Sequence, residues 1–193
     1  MICIREPSAF AVSITPVGGF AFPSILNSAN NTSAHPRTIL FGGTIQYQIA
    51  PRKVELEWGV IYSIRGYIDS SSTPSNELSF TTFQFPLLLR FFPASWFYLG
   101  FGGYFSHGVG GINSTPQAPD SVSSSPSYPD ASLSKDDYGF LINIGFKINL
   151  VKGVSLILDT RFLNGLRSIN QAEGGSPIFL QDLQTLVGIR FGS

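Results

Sequence analysis

Hydrophobic and polar positions alternate most clearly over residues 78–107, LSFTTFQFPLLLRFFPASWFYLGFGGYFSH. Phe83, Phe85, Leu87, Leu89 and Phe91 share one parity, and Thr82, Gln84, Pro86, Leu88 and Arg90 share the other. After an FPAS connection, Phe97, Leu99, Phe101 and Phe105 oppose Tyr98, Gly100, Gly102, Tyr104 and Ser106. Successive side chains of a strand point to opposite faces of its sheet, so this stretch predicts a hairpin with one greasy face and one small, polar face. Each arm carries about ten residues, the length a tilted strand needs to cross a bilayer.

The same period recurs along the chain. Phe10, Val12 and Ile14 alternate with Ala11, Ser13 and Thr15 in a first strand that continues through GGFAF; Pro16 lacks an amide donor and asks for a bulge or an unpaired position. The polar PSILNSANNTSAHPRT reads as a loop. Strand two, ILFGGTIQYQI, sets Ile39, Phe41, Ile45, Tyr47 and Ile49 against Leu40, Gly42, Thr44, Gln46 and Gln48. A short APRK turn leads to strand three, VELEWGVIYSIRGY, and IDSSSTPSNE then reads as a loop into the central hairpin. Residues 108–137 are rich in Ser, Pro, Asp and Gly without apolar periodicity, which predicts a long loop. Strands six, seven and eight are YGFLINIGFKINL, VSLILDTRFLNG and FLQDLQTLVGIRF, joined by a VKG turn and a loop containing AEGGSP. The prediction is all-β: an eight-stranded antiparallel up-and-down transmembrane β-barrel in one domain over residues 1–193. Long and short connections alternate, as in outer-membrane barrels with long extracellular loops and short periplasmic turns.

A soluble lipocalin-like barrel, which would bind a ligand inside, has the same period with its faces reversed. Composition favours the membrane. Charged residues are 12% of the chain, about half the usual share of a soluble domain, while seventeen Phe and twenty Gly suit strands and close packing. The polar face carries nine charges, Glu55, Glu57, Arg65, Arg90, Lys147, Asp159, Arg161, Asp182 and Arg190, five positive and four negative. Such a set fits a lumen ion-pair network, because an eight-strand interior is about wide enough to be filled by side chains. Trp58, Phe91, Trp96, Tyr47 and Phe191 towards the short turns, with Phe22, Phe83, Phe105, Tyr138 and Phe162 towards the long loops, predict two aromatic girdles. The formal charge is zero, so nothing argues for a nucleic-acid partner. The lone Cys3 excludes an internal disulfide. In MICIREPSAFAV, Arg5, Glu6 and Pro7 interrupt any signal-peptide core, so the export signal is expected upstream of a processed, trimmed or misassigned start.

Candidate chemistry is sparse. Ser106 and His107 are adjacent and must face opposite sides of a strand, which breaks a nucleophile–base pair; His35 lies in another loop. The glycines at 100, 102 and 103 precede no helix that could hold a phosphate, and are expected to serve strand curvature or lumen packing. Asp159 with Arg161, and Asp182 with Arg190, share faces and predict structural ion pairs rather than a glycosidase carboxylate pair. By strand direction, Arg161 is expected to meet Asp182, and Glu57 to meet Arg90. Asp130, Asp136 and Asp137 match no calcium-loop spacing and predict a solvated acidic rim. No catalytic residue, metal ligand or cofactor is expected.

Strand three ending in YSIRGY, LSFTTFQFPLLLRF with its internal proline, WFYLGFGGYFS and the late LDTRFLNGLRSI together resemble the PorT-like small outer-membrane β-barrel family, an outer membrane protein β-barrel domain. The likeness runs from about Gly42 to Phe191; VGIRFGS places the last aromatic two residues before the end, a departure from barrels that finish on an aromatic. The resemblance implies a cell outer membrane location; a barrel there is expected to meet outer-membrane lipid and the barrel assembly machinery, with an envelope protein as a further partner through its loops. The expected function is a non-enzymatic barrel that anchors or binds through its extracellular loops. A lipid-modifying outer-membrane enzyme and a narrow pore are the alternatives.

Overall fold

Period-two alternation over eight segments leaves each sheet face uniform, and a sheet with one apolar face must bury that face or turn it to lipid. The protein does so by closing. The computed structural model describes residues 11–27, 38–50, 53–69, 76–109, 115–116, 134–170 and 177–192. Its barrel strands are β1 (Val12–Asn27), β2 (Thr38–Ala50), β3 (Val54–Asp69), β4 (Asn76–Ala94), β5 (Phe97–Gly108), β6 (Asp136–Val151), β7 (Val154–Gly165) and β8 (Ile178–Phe191). Each pairs antiparallel with its sequence neighbour, and β1 pairs with β8 to close the ring. Closure leaves no sheet edge to hydrocarbon.

The strands run from 12 to 19 residues and overshoot the expected boundaries on the long-loop side. Ile68 pairs with Glu77 and Asp69 with Asn76, so both ends of IDSSSTPSNE belong to the β3–β4 ladder. The 108–137 stretch is likewise shorter as a loop: Gly108 ends β5, Asp136 and Asp137 begin β6, and Thr115–Pro116 pairs with Asn76–Glu77 of β4. The backbone pairing thus continues where the sequence no longer alternates.

Register departs from regularity beside each short turn, between Gln48 and Ala50, Phe91 and Ala94, and Asn149 and Val151. In the two-residue turn Lys152–Gly153, Gly153 takes a φ of 78°, a conformation that glycine adopts without Cβ strain. Pro16 causes no bulge. It faces Gly43 in an unbroken β1–β2 register, and the β1–β8 pairing skips Thr15 and Pro16 without a shift. The missing amide thus falls where no ladder bond is drawn.

Outside, an apolar belt is exposed, with Ile39, Phe41, Leu87, Phe101, Ile142 and Val187 among its members. Ring pairs bridge neighbouring elements, Phe41 of β2 on Tyr62 of β3 at 4.9 Å and Trp96 of the β4–β5 turn on Phe146 of β6 at 5.9 Å. Inside, the lumen is layered. Towards the long loops from the charged level lie two buried apolar clusters, Val17, Ala21, Leu40, Ile61 and Leu186 on one wall and Leu88, Tyr104, Leu141 and Leu163 on the other.

Candidate functional site

The lumen-facing charges were the sequence's candidates, and four of them meet at one level. Glu57 comes from β3, Arg90 from β4, and Asp159 and Arg161 from β7. Arg90 Nη1 lies 2.7 Å from Glu57 Oε2, and Arg90 Nη2 lies 2.7 Å from Asp159 Oδ2. Arg161 Nη2 lies 2.8 Å from both Glu57 Oε1 and Asp159 Oδ2. Two cations and two anions thus close a neutral quartet whose side chains are 0–2% exposed. It ties β3 and β4 to β7 across the lumen. Burying a charge is costly unless it is paired and hydrogen-bonded, and every member here is.

Neutral side chains complete it. Asn143 Nδ2 donates to Asp159 Oδ1 at 2.9 Å, and Gln46 Nε2 donates to Glu57 Oε2 at 2.8 Å. Gln46 is fixed in turn by Ser13 and Thr15, whose hydroxyls donate to its Oε1. The Arg90 guanidinium stands 4.5 Å over the Tyr98 ring, a cation–π contact. Glycines make the room: a Cβ on Gly145 would strike that ring, and one on Gly100 would strike Asn143 and press on Arg90. The lumen-packing role expected for Gly100 is its observed environment.

Nearer the short turns, Arg190 grips Glu55 with two bonds, Nη1 to Oε2 at 2.8 Å and Nη2 to Oε1 at 2.9 Å. The remaining candidates sit elsewhere. Lys147 faces the lumen and makes no ion pair among the described residues, but it lies near enough to Glu55 and Arg190 to feel both charges. Arg65 lies on β3, with its side chain outside the described residues. Asp182 is buried and accepts from Gln184 Nε2 at 3.4 Å. It does not bond Arg161: in the β7–β8 register Arg161 faces Gln184, while Asp182 faces Leu163. Arg161 instead reaches its own-strand neighbour Asp159 and, through a narrow lumen, Glu57 on the far wall.

At the long-loop rim, Ser106 is buried in the lumen while His107 is exposed, so the two stay on opposite faces. His107 Nδ1 lies 2.6 Å from Asp136 Oδ1. Asp137 points inward, where Tyr104 donates to its Oδ2 at 2.8 Å, a correction to its place on a solvated rim. Asp136 and Asp137 therefore cannot converge on one cation, and no cluster of metal ligands exists among the described residues. Asp130 and His35 lie outside them. Sequence reasoning missed the contributions of Gln46, Asn143 and Tyr98. Their inward parity was legible, and their partners were not.

The fold is shared with known outer-membrane proteins. OprG from Pseudomonas aeruginosa is 12% identical over 95% of this chain and 97% of its own, with a TM-score of 0.56. Neisserial surface protein A is 14% identical over 93% and 96%, with a TM-score of 0.54. The attachment invasion locus protein Ail of Yersinia pestis, solved with the heparin analogue sucrose octasulfate, is 11% identical over 95% and 100%, with a TM-score of 0.53. None of the curated proteins matches the sequence. The family model of the outer membrane protein beta-barrel domain matches residues 9–171, so the chain belongs to that family and is a small eight-stranded barrel of the outer membrane.

Proposed function

We propose that this barrel is a non-enzymatic, non-conducting anchor that presents its long extracellular loops to a partner in the cell envelope. The observation that carries the reading is the quartet of Glu57, Arg90, Asp159 and Arg161, whose ion pairs span the lumen from wall to wall. A pore needs a water-filled path, and a lumen spanned by paired side chains with apolar clusters above it offers none. A hydrolase needs a nucleophile within reach of a base, and Ser106 and His107 lie on opposite faces. Loops on a rigid scaffold are where binding residues concentrate. Within the family we place the chain with the PorT-like barrels, on the YSIRGY and LDTRFLNGLRSI stretches.

The test pairs lipid A mass spectrometry with cross-linking. Cells with and without the protein should give the same lipid A spectrum. Cross-linking from the loops should capture a discrete envelope partner, and replacing residues 110–133 by a Gly-Ser linker should abolish the capture. A shifted lipid A mass that depends on the protein would overturn the reading in favour of an enzyme.

A further inference from the structure

At the short-turn mouth the lumen does not fill. A cavity of about 240 Å³ opens there, lined by Gln48, Glu55, Phe92, Ser95, Lys147 and Asn149. An adjoining cavity of about 410 Å³ shares Lys147 and Asn149 and extends to Lys152 in the β6–β7 turn. A water's share of liquid volume is about 30 Å³, so even the smaller space holds an ion with several waters. The vestibule is blind, because the quartet and the Arg90–Tyr98 stack lie deeper in the barrel.

Its electrostatics are one-sided. Glu55 is the acid in the lining, and both its oxygens are taken by Arg190. Lys147 remains. It is half-buried, common to both cavities, and forms no ion pair among the described residues; it feels Glu55, whose oxygens Arg190 holds, and Arg190 itself. Among the described residues, the exposed charges beside the short turns here, Lys53 and Lys152, are also cations. Donors surround the Lys147 position: Ser95 carries a hydroxyl, Gln48 an amide, and Asn149 keeps its amide NH₂ while its Oδ1 accepts from Ser155 at 2.9 Å. A half-buried cation in a cavity lined by groups able to donate hydrogen bonds suits an acceptor that bears negative charge.

We infer that the periplasmic mouth is a binding site for a small oxyanion, a carboxylate or phosphate group, held by Lys147 with Gln48, Ser95 and Asn149. The group can arrive on a free solute or on an inner-leaflet phospholipid headgroup. The site is separate from the extracellular loops, so its failure leaves the anchoring reading untouched.

The experiment is calorimetric titration of the full barrel, in uncharged detergent at low salt, with inorganic phosphate and with succinate. Wild type should bind at least one of them saturably at one site. Lys147→Met should weaken binding by at least about tenfold, the loss expected for one charge-assisted contact. Lys147→Arg should retain it, and Lys135→Met, at the opposite rim, should leave it unchanged. The gel shift on heating confirms that each variant is folded. Repeating the titration in nanodiscs with and without phosphatidylglycerol separates the sources: loss of phosphate binding in the anionic discs assigns the site to a lipid headgroup, and its retention assigns it to a free solute. No saturable binding by wild type, or equal losses in Lys147→Met and Lys135→Met, overturns the proposal.

Discussion

Removing one member of the quartet should cost far more than removing a matched pair. Arg161 contributes Nη2 to both Glu57 and Asp159, and its Nε donates to Asp159 at 3.0 Å. In Arg161→Met, two fully buried carboxylates are left to share Arg90, and the lumen carries an uncompensated negative charge. Breaking a buried ion pair from one side costs roughly 3–5 kcal/mol, so this variant should lose about that much stability. Glu57→Gln has the mirror effect, leaving two arginines on Asp159, and should lose a similar amount. The double variant keeps Arg90 with Asp159 at 2.7 Å as a neutral pair, and Gln at position 57 still offers an acceptor. Its loss should fall below the sum of the singles by at least about 2 kcal/mol, within the range for residues in one network. The measurement is urea unfolding of the four proteins in detergent, closed as a double-mutant cycle. Additive losses would refute the quartet.

Three further outcomes follow from the same structure. Gly145→Ala should destabilise the barrel by about 1–3 kcal/mol in the same assay, because the added Cβ meets the Tyr98 ring and the Leu158 carbonyl; unchanged stability would show that Tyr98 is free to move. Unheated protein should migrate differently from boiled protein in a denaturing gel, and recovery as a detergent-free soluble monomer would contradict a lipid-facing belt. Replacing residues 110–133 by a Gly-Ser linker should preserve the unheated folded band, whose loss would mean that this segment packs into the lumen.

The barrel was legible because lipid and lumen demand opposite polarity, which stamps period two on every strand. Phe85 and Gln84 declare their faces without any neighbour being known. The Glu57–Arg90 contact was also within reach, since adjacent antiparallel strands put these residues one step apart, with Glu57 opposite Leu88. Arg161 was misjudged for the complementary reason. Register fixes neighbours within the sheet, whereas its partner Glu57 lies across the lumen, on a strand more than a hundred residues earlier. Such a contact depends on lumen width and on glycines such as Gly100 and Gly145, which no local pattern encodes. The strand ends failed differently. Asp69 pairs with Asn76 in the β3–β4 ladder, so a polar composition that reads as loop is compatible with pairing. Asp137 is polar for a third reason, as the acceptor of an inward-facing Tyr104.

The central claim, that paired charges seal this barrel, is tested most directly by ion conductance in planar lipid bilayers. Purified, heat-shifting protein inserted at low and high salt should give no unit conductance above the bare membrane. A reproducible, steady unit conductance from wild-type protein would show that ions pass the level of Glu57, Arg90, Asp159 and Arg161, and would contradict the account.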